Sequence, residues 1–132
     1  MALQEPSVDQ WLKEAKADPA AAQCGMFLTH NGVVRQTAKA QVREGVEGLP
    51  PVELVEFSYD AEGLDRAIEE ALTWPGVHYV RVWLNEGRVP VGGSLMYVLI
   101  GADIRPNCID ALQRLVGKIK NDLVVEKEVY RA

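Results

Sequence analysis

The sequence predicts an α+β fold in which helices pack on one face of a mostly antiparallel sheet. Three observations support this prediction. From Val52 onward, the strand and helix periodicities follow the order β-α-β-β-α-β. Two segments show the apolar spacing of amphipathic helices. The segments between these helices are short and rich in residues that favour β-strands. This order is typical of a layered α+β sandwich.

Length and composition indicate a single domain, residues 1–132. The chain is 48% hydrophobic and 25% charged, which is ordinary for a globular protein. Its net charge of −5 argues against a general nucleic-acid surface. Cys24 and Cys108 stand far apart without metal spacing, so we expect free, buried and inert thiols. No apolar run has membrane length and no signal-peptide core is recognisable, which predicts a cytoplasmic protein without a membrane segment.

The N-terminal part is predicted to contain a helix, a strand and a long loop. Ser7 is a candidate N-cap, with Gln10 three residues later. The helix then has one apolar face, formed by Val8, Trp11, Leu12 and Ala15. "CGMFLTH" is typical of a buried strand, and Asn31-Gly32 predicts a turn or bulge. Residues 36–51 are polar and glycine-rich and end in two prolines, which predicts a long loop or ribbon that can be mobile.

The second half predicts two helices. Asp60 is a candidate cap for the first, which Pro75-Gly76 ends. Its apolar stripe consists of Leu64, Ala67, Ile68, Ala71 and Leu72. Pro106 suits the first turn of the second helix. The expected apolar face of that helix consists of Ile109, Leu112, Leu115, Val116 and Ile119.

Strands surround these two helices in the prediction. "VELVEFSY" precedes the first helix, and "DLVVEKEVY" follows the second. Between the helices, "VHYVRVWL" and "SLMYVLIGA" are apolar on both faces, as buried strands are.

The run "VPVGG" is not predicted to bind phosphate. A phosphate loop opens onto a helix N-terminus, where backbone N–H groups face the anion, whereas Gly92-Gly93 precedes a strand. The sequence contains neither GxGxxG nor GxxxxGK[ST]. The glycines therefore predict a turn.

Neither histidine is predicted to bind a metal or to belong to a catalytic triad. His30 and His78 lack metal-ligand spacing, and no Ser-His-Asp or Cys-His grouping can be inferred. We expect His78 to be an ordinary strand residue and His30, which precedes a turn, to be solvated. No metal site is predicted.

Several basic residues are better candidates for a site. Arg35 ends the apolar run "GVVR", and Arg105 lies at a strand-to-helix corner, where backbone N–H groups add to its attraction for an anion. Lys118 and Lys120 flank Ile119, and Lys127 lies on the last predicted strand. The alternative for these lysines is a role as solvated cations near a helix C-terminus.

Three segments together resemble the large, catalytic subunit of molybdopterin synthase, the MoaE family. "GVVRQ" is similar to the family's G-x-[VT]-R-N. "GRVPVGGSLMYVLIGADIRPNCIDAL" is similar to its G-x-V-P-V-G-E segment and the following strand, H-R pair and helix. "LVGKIKNDLVVEKEVY" resembles its C-terminal L-K-x-x-[VA]-P-[IF]-W-K-K-E. The resemblance covers about residues 24–130 in the right order, and it identifies the chain as a divergent member.

The resemblance implies an α/β-hammerhead fold and a homodimer. It also implies a heterotetramer with two copies of a small, ubiquitin-like sulfur-carrier subunit, a MoaD-like protein with a Gly-Gly tail. That tail ends in a thiocarboxylate, and its sulfur goes to cyclic pyranopterin monophosphate (precursor Z), producing the dithiolene of molybdopterin. The implied activity is that of a sulfurtransferase that needs no metal or organic cofactor.

The resemblance also suggests site residues. Arg35 and Arg105 match arginines that bind substrate, while Ile104 replaces the family's histidine. Counting back from Glu128 without a gap puts the two catalytic lysines at Ile119 and Glu126. A shift of one residue makes Lys120 and Lys127 the catalytic pair, with Lys118 as a substitute candidate.

Two alternatives to an active enzyme are open at this stage. One is a catalytically impaired relative, because Ile104, Ile119 and Glu126 occupy family site positions. The other is a non-enzymatic, ferredoxin-like binding or regulatory module, since the β-α-β-β-α-β order fits that class as well. Convergence of Lys120 and Lys127 with Arg105 on one pocket would favour the enzyme.

Overall fold

The computed structural model describes residues 4–131, which form helices and two three-stranded antiparallel sheets. The helices are α1 (Val8–Ala17), α2 (Lys39–Arg43), α3 (Ala61–Ala71) and α4 (Arg105–Lys118). The strands are β1 (Met26–Val33), β2 (Val52–Tyr59), β3 (Val77–Leu84), β4 (Gly87–Pro90), β5 (Ser94–Ala102) and β6 (Val124–Tyr130). A 3₁₀ helix covers Pro19–Gln23, and a π-helical turn covers Ile119–Leu123. No described helix is long and apolar enough to span a bilayer.

The predicted α+β class with antiparallel pairing is confirmed, and the strands divide into two sheets. One sheet has the order β1-β5-β3 and the other the order β4-β2-β6. All nine residues of β5 are buried, as its continuous apolar sequence predicts for a central strand. Gly32 and Val33 mark a register shift between β1 and β5, so the bulge predicted at Asn31-Gly32 is present.

The helices cover both faces of the first sheet. Met96, Val98 and Ile100 belong to the main core with α3 and α4, while Tyr97 and Leu99 pack in a second cluster with α1. In that second cluster, the rings of Trp11 and Tyr97 meet edge to face at 6.2 Å between centroids. The predicted packing of helices on one face of the sheet therefore holds for α3 and α4. The contact of Trp11 with Tyr97 places α1 on the opposite face.

The ends of the helices follow the sequence signals. Ser7 accepts a hydrogen bond from the Gln10 N–H at 3.3 Å, and Asp60 Oδ1 accepts one from the Gly63 N–H at 3.1 Å. Pro106 lies in the first turn of α4.

The buried face of α4 differs from the prediction by one residue. Ile109 is 40% exposed, whereas Cys108 is fully buried, followed by Ala111 and Leu115 at helical spacing. Neighbouring helical positions are about 100° apart, so choosing Ile109 as a core residue rotates the start of the predicted face away from the sheet. Cys108 is buried as expected, but Cys24 is only partly buried.

The "VPVGG" run forms a turn between β4 and β5, as predicted. Gly92 adopts a φ of +85°, a conformation that favours glycine, and its N–H donates to the Val34 carbonyl at 2.8 Å. The Gly93 N–H donates to the Pro90 carbonyl at 2.8 Å. Since β4 belongs to the second sheet and β5 to the first, this turn connects the two sheets.

The segment 36–51, predicted as a loop or ribbon, contains the five-residue helix α2. The Lys39 N–H at the start of α2 donates to Glu128 Oε2 on β6 at 2.9 Å, and the Val52 N–H donates to the Gln36 carbonyl at 2.8 Å. These bonds hold α2 beside β6 and so position its basic residues. The mobility of this segment stays a prediction.

Candidate functional site

A cavity of about 370 Å³, the first cavity, lies where β6, α2 and the end of β1 approach one another. Its cationic lining residues are Arg35, Lys39, Arg43, Lys120 and Lys127. Two carboxylate residues, Glu126 and Glu128, also line it. Cationic groups thus outnumber acidic ones in a chain whose net charge is −5. The cavity is suited to anionic ligands.

Lys120 reaches this cavity because the chain winds into a π-helical turn after α4. Ile119 is fully buried and Leu123 nearly so, while Lys120 is only partly buried and lines the cavity. In a π turn the backbone hydrogen bond spans five residues instead of the four of an α-helix, and such turns recur at functional sites. The structure therefore brings Lys120, and not position 119, to the cavity.

On β6, the residues alternate between two faces. Glu126 pairs with Phe57 and Glu128 with Val55, so both glutamates share the face of these buried β2 residues. Lys127 pairs with Glu56 and belongs to the opposite face, although it also contributes to the lining of the first cavity. When the family motif is shifted by one residue, its first lysine is Lys120, which lines the first cavity. Its second lysine is Lys127, which lies on the face of β6 opposite to that of Glu126 and Glu128.

Arg105 and Lys118 do not line the first cavity. Arg105 is exposed at the first residue of α4, and the 14 residues of that helix separate it from Lys120 by roughly 20 Å at 1.5 Å per residue. Lys118 forms an ion pair with Glu70 of α3. Of the predicted site residues, the structure brings together Arg35, Lys120 and Lys127 at this cavity.

A second cavity of about 360 Å³ adjoins the first. Lys39, Arg43 and Lys120 line both cavities. The remaining lining residues of the second cavity are His30, Leu112, Gln113, Val116, Gly117 and Asn121. It therefore combines an apolar wall from α4 with amide groups and cations, and Lys120 lies at the junction of the two cavities. The described residues include no group of His, Cys, Asp or Glu that could hold a metal ion.

His30 is more enclosed than the sequence predicted. It is partly buried, and its Nε2 atom is buried without a hydrogen-bond partner. Burial lowers the pKa of the imidazole, and the nearby Lys120 ammonium lowers this pKa further. The expectation of a solvated His30 was wrong, because in a strand Met26, Leu28 and His30 share the face that α4 covers. Continuing the period-2 pattern of "CGMFLTH" would have identified this face.

This lowered pKa predicts a pH dependence of stability. The ordinary histidine pKa is about 6.5, so below that pH the unfolded chain binds a proton before the folded chain does. The contribution of His30 to the free energy of unfolding is therefore complete above that pH and decreases as the pH falls below it. Urea unfolding between pH 5 and pH 8 measures this effect. In His30→Gln, this pH-dependent contribution to the free energy of unfolding should disappear. If the unfolding free energy of the variant varies with pH as that of the wild type does, the effect does not come from His30.

Comparison with known proteins shows a family match. The family model described as MoaE protein matches residues 3–122. No curated protein matches the chain significantly.

Solved structures share the fold at low sequence identity. Molybdopterin synthase from Staphylococcus aureus superposes with a TM-score of 0.74 and 15% identity, covering 98% of this chain and 89% of the other. The molybdopterin biosynthesis MoaE protein from Burkholderia ambifaria gives 0.69 and 17%, with coverages of 97% and 82%. A complex of subunits 1 and 2 of molybdopterin-converting factor from Helicobacter pylori gives 0.63 and 18%, with coverages of 98% and 84%.

Proposed function

This chain belongs to the MoaE family and acts in molybdenum cofactor biosynthesis, and from that premise we propose that it is the sulfur-transferring large subunit of a molybdopterin synthase. In this proposal, the sulfur donor is the thiocarboxylated C-terminus of a small ubiquitin-like subunit. The acceptor is cyclic pyranopterin monophosphate (precursor Z), and the product carries the dithiolene.

The observation that carries this proposal is the position of Lys120 between two cavities with cationic walls. Sulfur transfer has to bring two anions together, a thiocarboxylate tail and a cyclic phosphate. An ammonium group at the junction of two cavities can contact both ligands at the point where they meet. Because Lys39 and Arg43 also line both cavities, the mutual repulsion of the two anions is reduced there.

The residue roles follow from charge and geometry. The Lys120 ammonium donates hydrogen bonds to the tail carbonyl, where negative charge develops when its carbon is attacked. Arg35 lines only the first cavity, and its planar guanidinium suits a phosphate group. Its Nε already donates to the Thr37 carbonyl at 3.0 Å, which holds the side chain while its terminal nitrogens can face the ligand. Lys127 adds a second ammonium from β6.

Arg105 takes part in this site only through a second copy of the chain. The length of α4 keeps it away from Lys120 of its own protomer. In the proposed homodimer, the exposed N-terminal end of α4 in one protomer can complete the cavity of the other. The Helicobacter pylori relative is a complex of two different subunits, which supports a small MoaD-like partner here as well.

A catalytically impaired relative is the second candidate. Glu126 and Glu128 add negative charge to the first cavity and would repel an anionic ligand that approaches β6. In that case the chain would bind the small subunit without completing the reaction.

Reconstitution tests the proposed function. The chain is mixed with a thiocarboxylated small subunit and cyclic pyranopterin monophosphate, and the dithiolene product is measured by mass spectrometry. We expect product with both sulfur atoms incorporated. A stable complex with the small subunit that forms no product would reject the catalytic role and favour the impaired relative.

A further inference from the structure

His30 lines the second cavity, and the binding of anions by the neighbouring cations leaves its role unexplained. It lies on β1 and shares this cavity with Lys120. The His30 ring makes no hydrogen bond to another described residue. His78, the other histidine of the chain, is on β3 and lines neither cavity. Within the described structure, the hydrogen-bonding capacity of His30 is therefore available to a ligand of the second cavity.

The two ring nitrogens of His30 have different surroundings. Nε2 is buried without a hydrogen-bond partner, whereas Nδ1 is not enclosed in this way. A Cβ added to Gly32 would lie 3.5 Å from Nε2 and 3.1 Å from Met96 Cγ, so Nε2 and the buried Met96 side chain border the same small space. Since His30 lines the second cavity, Nδ1 is the nitrogen that a ligand can reach.

These surroundings determine where the ring of His30 carries its hydrogen. A charged ring is disfavoured, because it would add a cation beside Lys39, Arg43 and Lys120 and would require an acceptor at Nε2. A neutral ring carries one hydrogen, on either nitrogen. On Nε2 it would be a buried N–H without an acceptor, and such groups are rarer in native structures than buried acceptors without a donor. The neutral ring with its hydrogen on Nδ1 thus presents an uncharged N–H donor to the second cavity.

The other walls of the second cavity suit a flat, uncharged ring system. Leu112, Val116 and Gly117 of α4 form an apolar wall, and Gln113 and Asn121 add amide groups. An apolar wall can pack against the face of a heterocycle, while amides and an N–H donor can bind the polar atoms along its edge.

The position of Arg35 indicates which part of the proposed substrate reaches this cavity. Arg35 lines only the first cavity, where its guanidinium suits a phosphate group. A phosphate bound there leaves the uncharged ring system of the same molecule to extend past Lys120, which lines both cavities, into the second. In cyclic pyranopterin monophosphate this ring system is a pterin, whose edge carries a carbonyl oxygen and a ring nitrogen as acceptors.

We propose that His30 is a specificity-determining residue for the substrate: its Nδ1–H donates a hydrogen bond to an uncharged acceptor on the edge of the pterin ring, which lies against α4 in the second cavity. His30 binds and orients this ring, while the cations bind the anionic groups. This inference rests on the proposed sulfur-transfer function, because the pterin ring belongs to the substrate proposed there.

Nitrogen-15 NMR of the histidine side chains in the whole chain tests which nitrogen carries the hydrogen. We expect the His30 hydrogen on Nδ1 at neutral pH, with Nε2 unprotonated. His30→Phe assigns the signals by removing them, and His78 is the reference in the same spectrum. A hydrogen on Nε2, or a charged ring at neutral pH, would overturn the proposal.

Calorimetric titration of the substrate tests the hydrogen bond itself. The small subunit in the complex carries an ordinary carboxylate, so that no sulfur is transferred. His30→Phe keeps a flat ring without the donor and should weaken binding of cyclic pyranopterin monophosphate by about 5- to 30-fold. His30→Asn, whose amide can place an N–H near the position of Nδ1, should retain most of the affinity. In the active complex, His30→Phe should raise KM more than it lowers kcat.

Two controls separate this role from a structural one. His78→Phe should bind the substrate with the affinity of the wild type. Inorganic phosphate, which lacks the ring, should bind equally well to the wild type and to His30→Phe. The urea unfolding transition of each variant verifies that it is folded.

Each remaining outcome has a distinct meaning. Unchanged substrate affinity in His30→Phe overturns the role of His30 and leaves the proposed sulfur transfer intact. An equal loss of affinity for inorganic phosphate also overturns this role, since His30 would then act on the anion. If the wild-type complex binds the substrate in a His30-dependent way but the thiocarboxylated complex forms no product, the proposed function fails and the role of His30 in binding stands.

Discussion

Replacement of Lys120 by alanine is expected to reduce the rate of sulfur transfer by about 10²- to 10³-fold, the usual effect of removing a donor to a developing oxyanion. Lys120 is only partly buried and lines both cavities, so its loss removes one of the three cations at their junction, the others being Lys39 and Arg43, without opening the core. Single-turnover kinetics with the reconstituted complex measure this effect. The unfolding midpoint should change little.

Lys118→Ala is the matched control for this prediction. Lys118 is two residues away in sequence, but it pairs with Glu70 of α3 and lines neither cavity. We expect turnover near the wild-type rate in this variant. Full turnover in Lys120→Ala, or an equal loss in Lys118→Ala, would contradict the choice of Lys120.

Ile119→Lys is expected to destabilise the protein by at least about 3 kcal/mol, because it places an ammonium group in the core without a partner. Ile119 is fully buried and belongs to the main core cluster. The variant restores a lysine where the ungapped family pattern expects one. It should nevertheless fail to restore turnover when combined with Lys120→Ala, because position 119 does not reach either cavity.

Urea unfolding of Ile119→Lys and Ile119→Leu measures the effect on stability. The leucine variant conserves volume and should cost less than about 1.5 kcal/mol. If Ile119→Lys is as stable as the wild type, or if the variant that combines it with Lys120→Ala is active, the π turn does not determine which residue faces the cavity.

Most of the fold could be predicted because its signals are local. The caps at Ser7 and Asp60 and the turn at Gly92-Gly93 depend on residues a few positions apart, and each is present in the structure. The division of the strands into two sheets could not be read from the sequence, because pairing such as β1 with β5 joins residues far apart in the chain. The position of α1 depends likewise on the long-range contact of Trp11 with Tyr97.

The candidate site was partly accessible from the sequence. Counting from Glu128 left the lysine position ambiguous by one residue, and only the three-dimensional structure shows that Ile119 is buried in the core while Lys120 lines the cavity. Motif spacing gave no sign that α4 separates Arg105 from Lys120, because one-dimensional spacing does not show which end of a helix meets a cavity. That His30 and Lys120 line the same cavity could likewise be seen only in the three-dimensional structure.

The most direct test of the central claim is the position of the partner's tail in a crystal structure of the complex. The measured quantity is the distance from the terminal carbonyl oxygen of the tail to Lys120 Nζ. We predict a hydrogen-bond distance of about 3 Å, with the tail entering through one of the two cavities that meet at this residue. A tail that ends on another surface, such as the outer face of β6 around Val125, would contradict the assignment of Lys120 as the centre of the site.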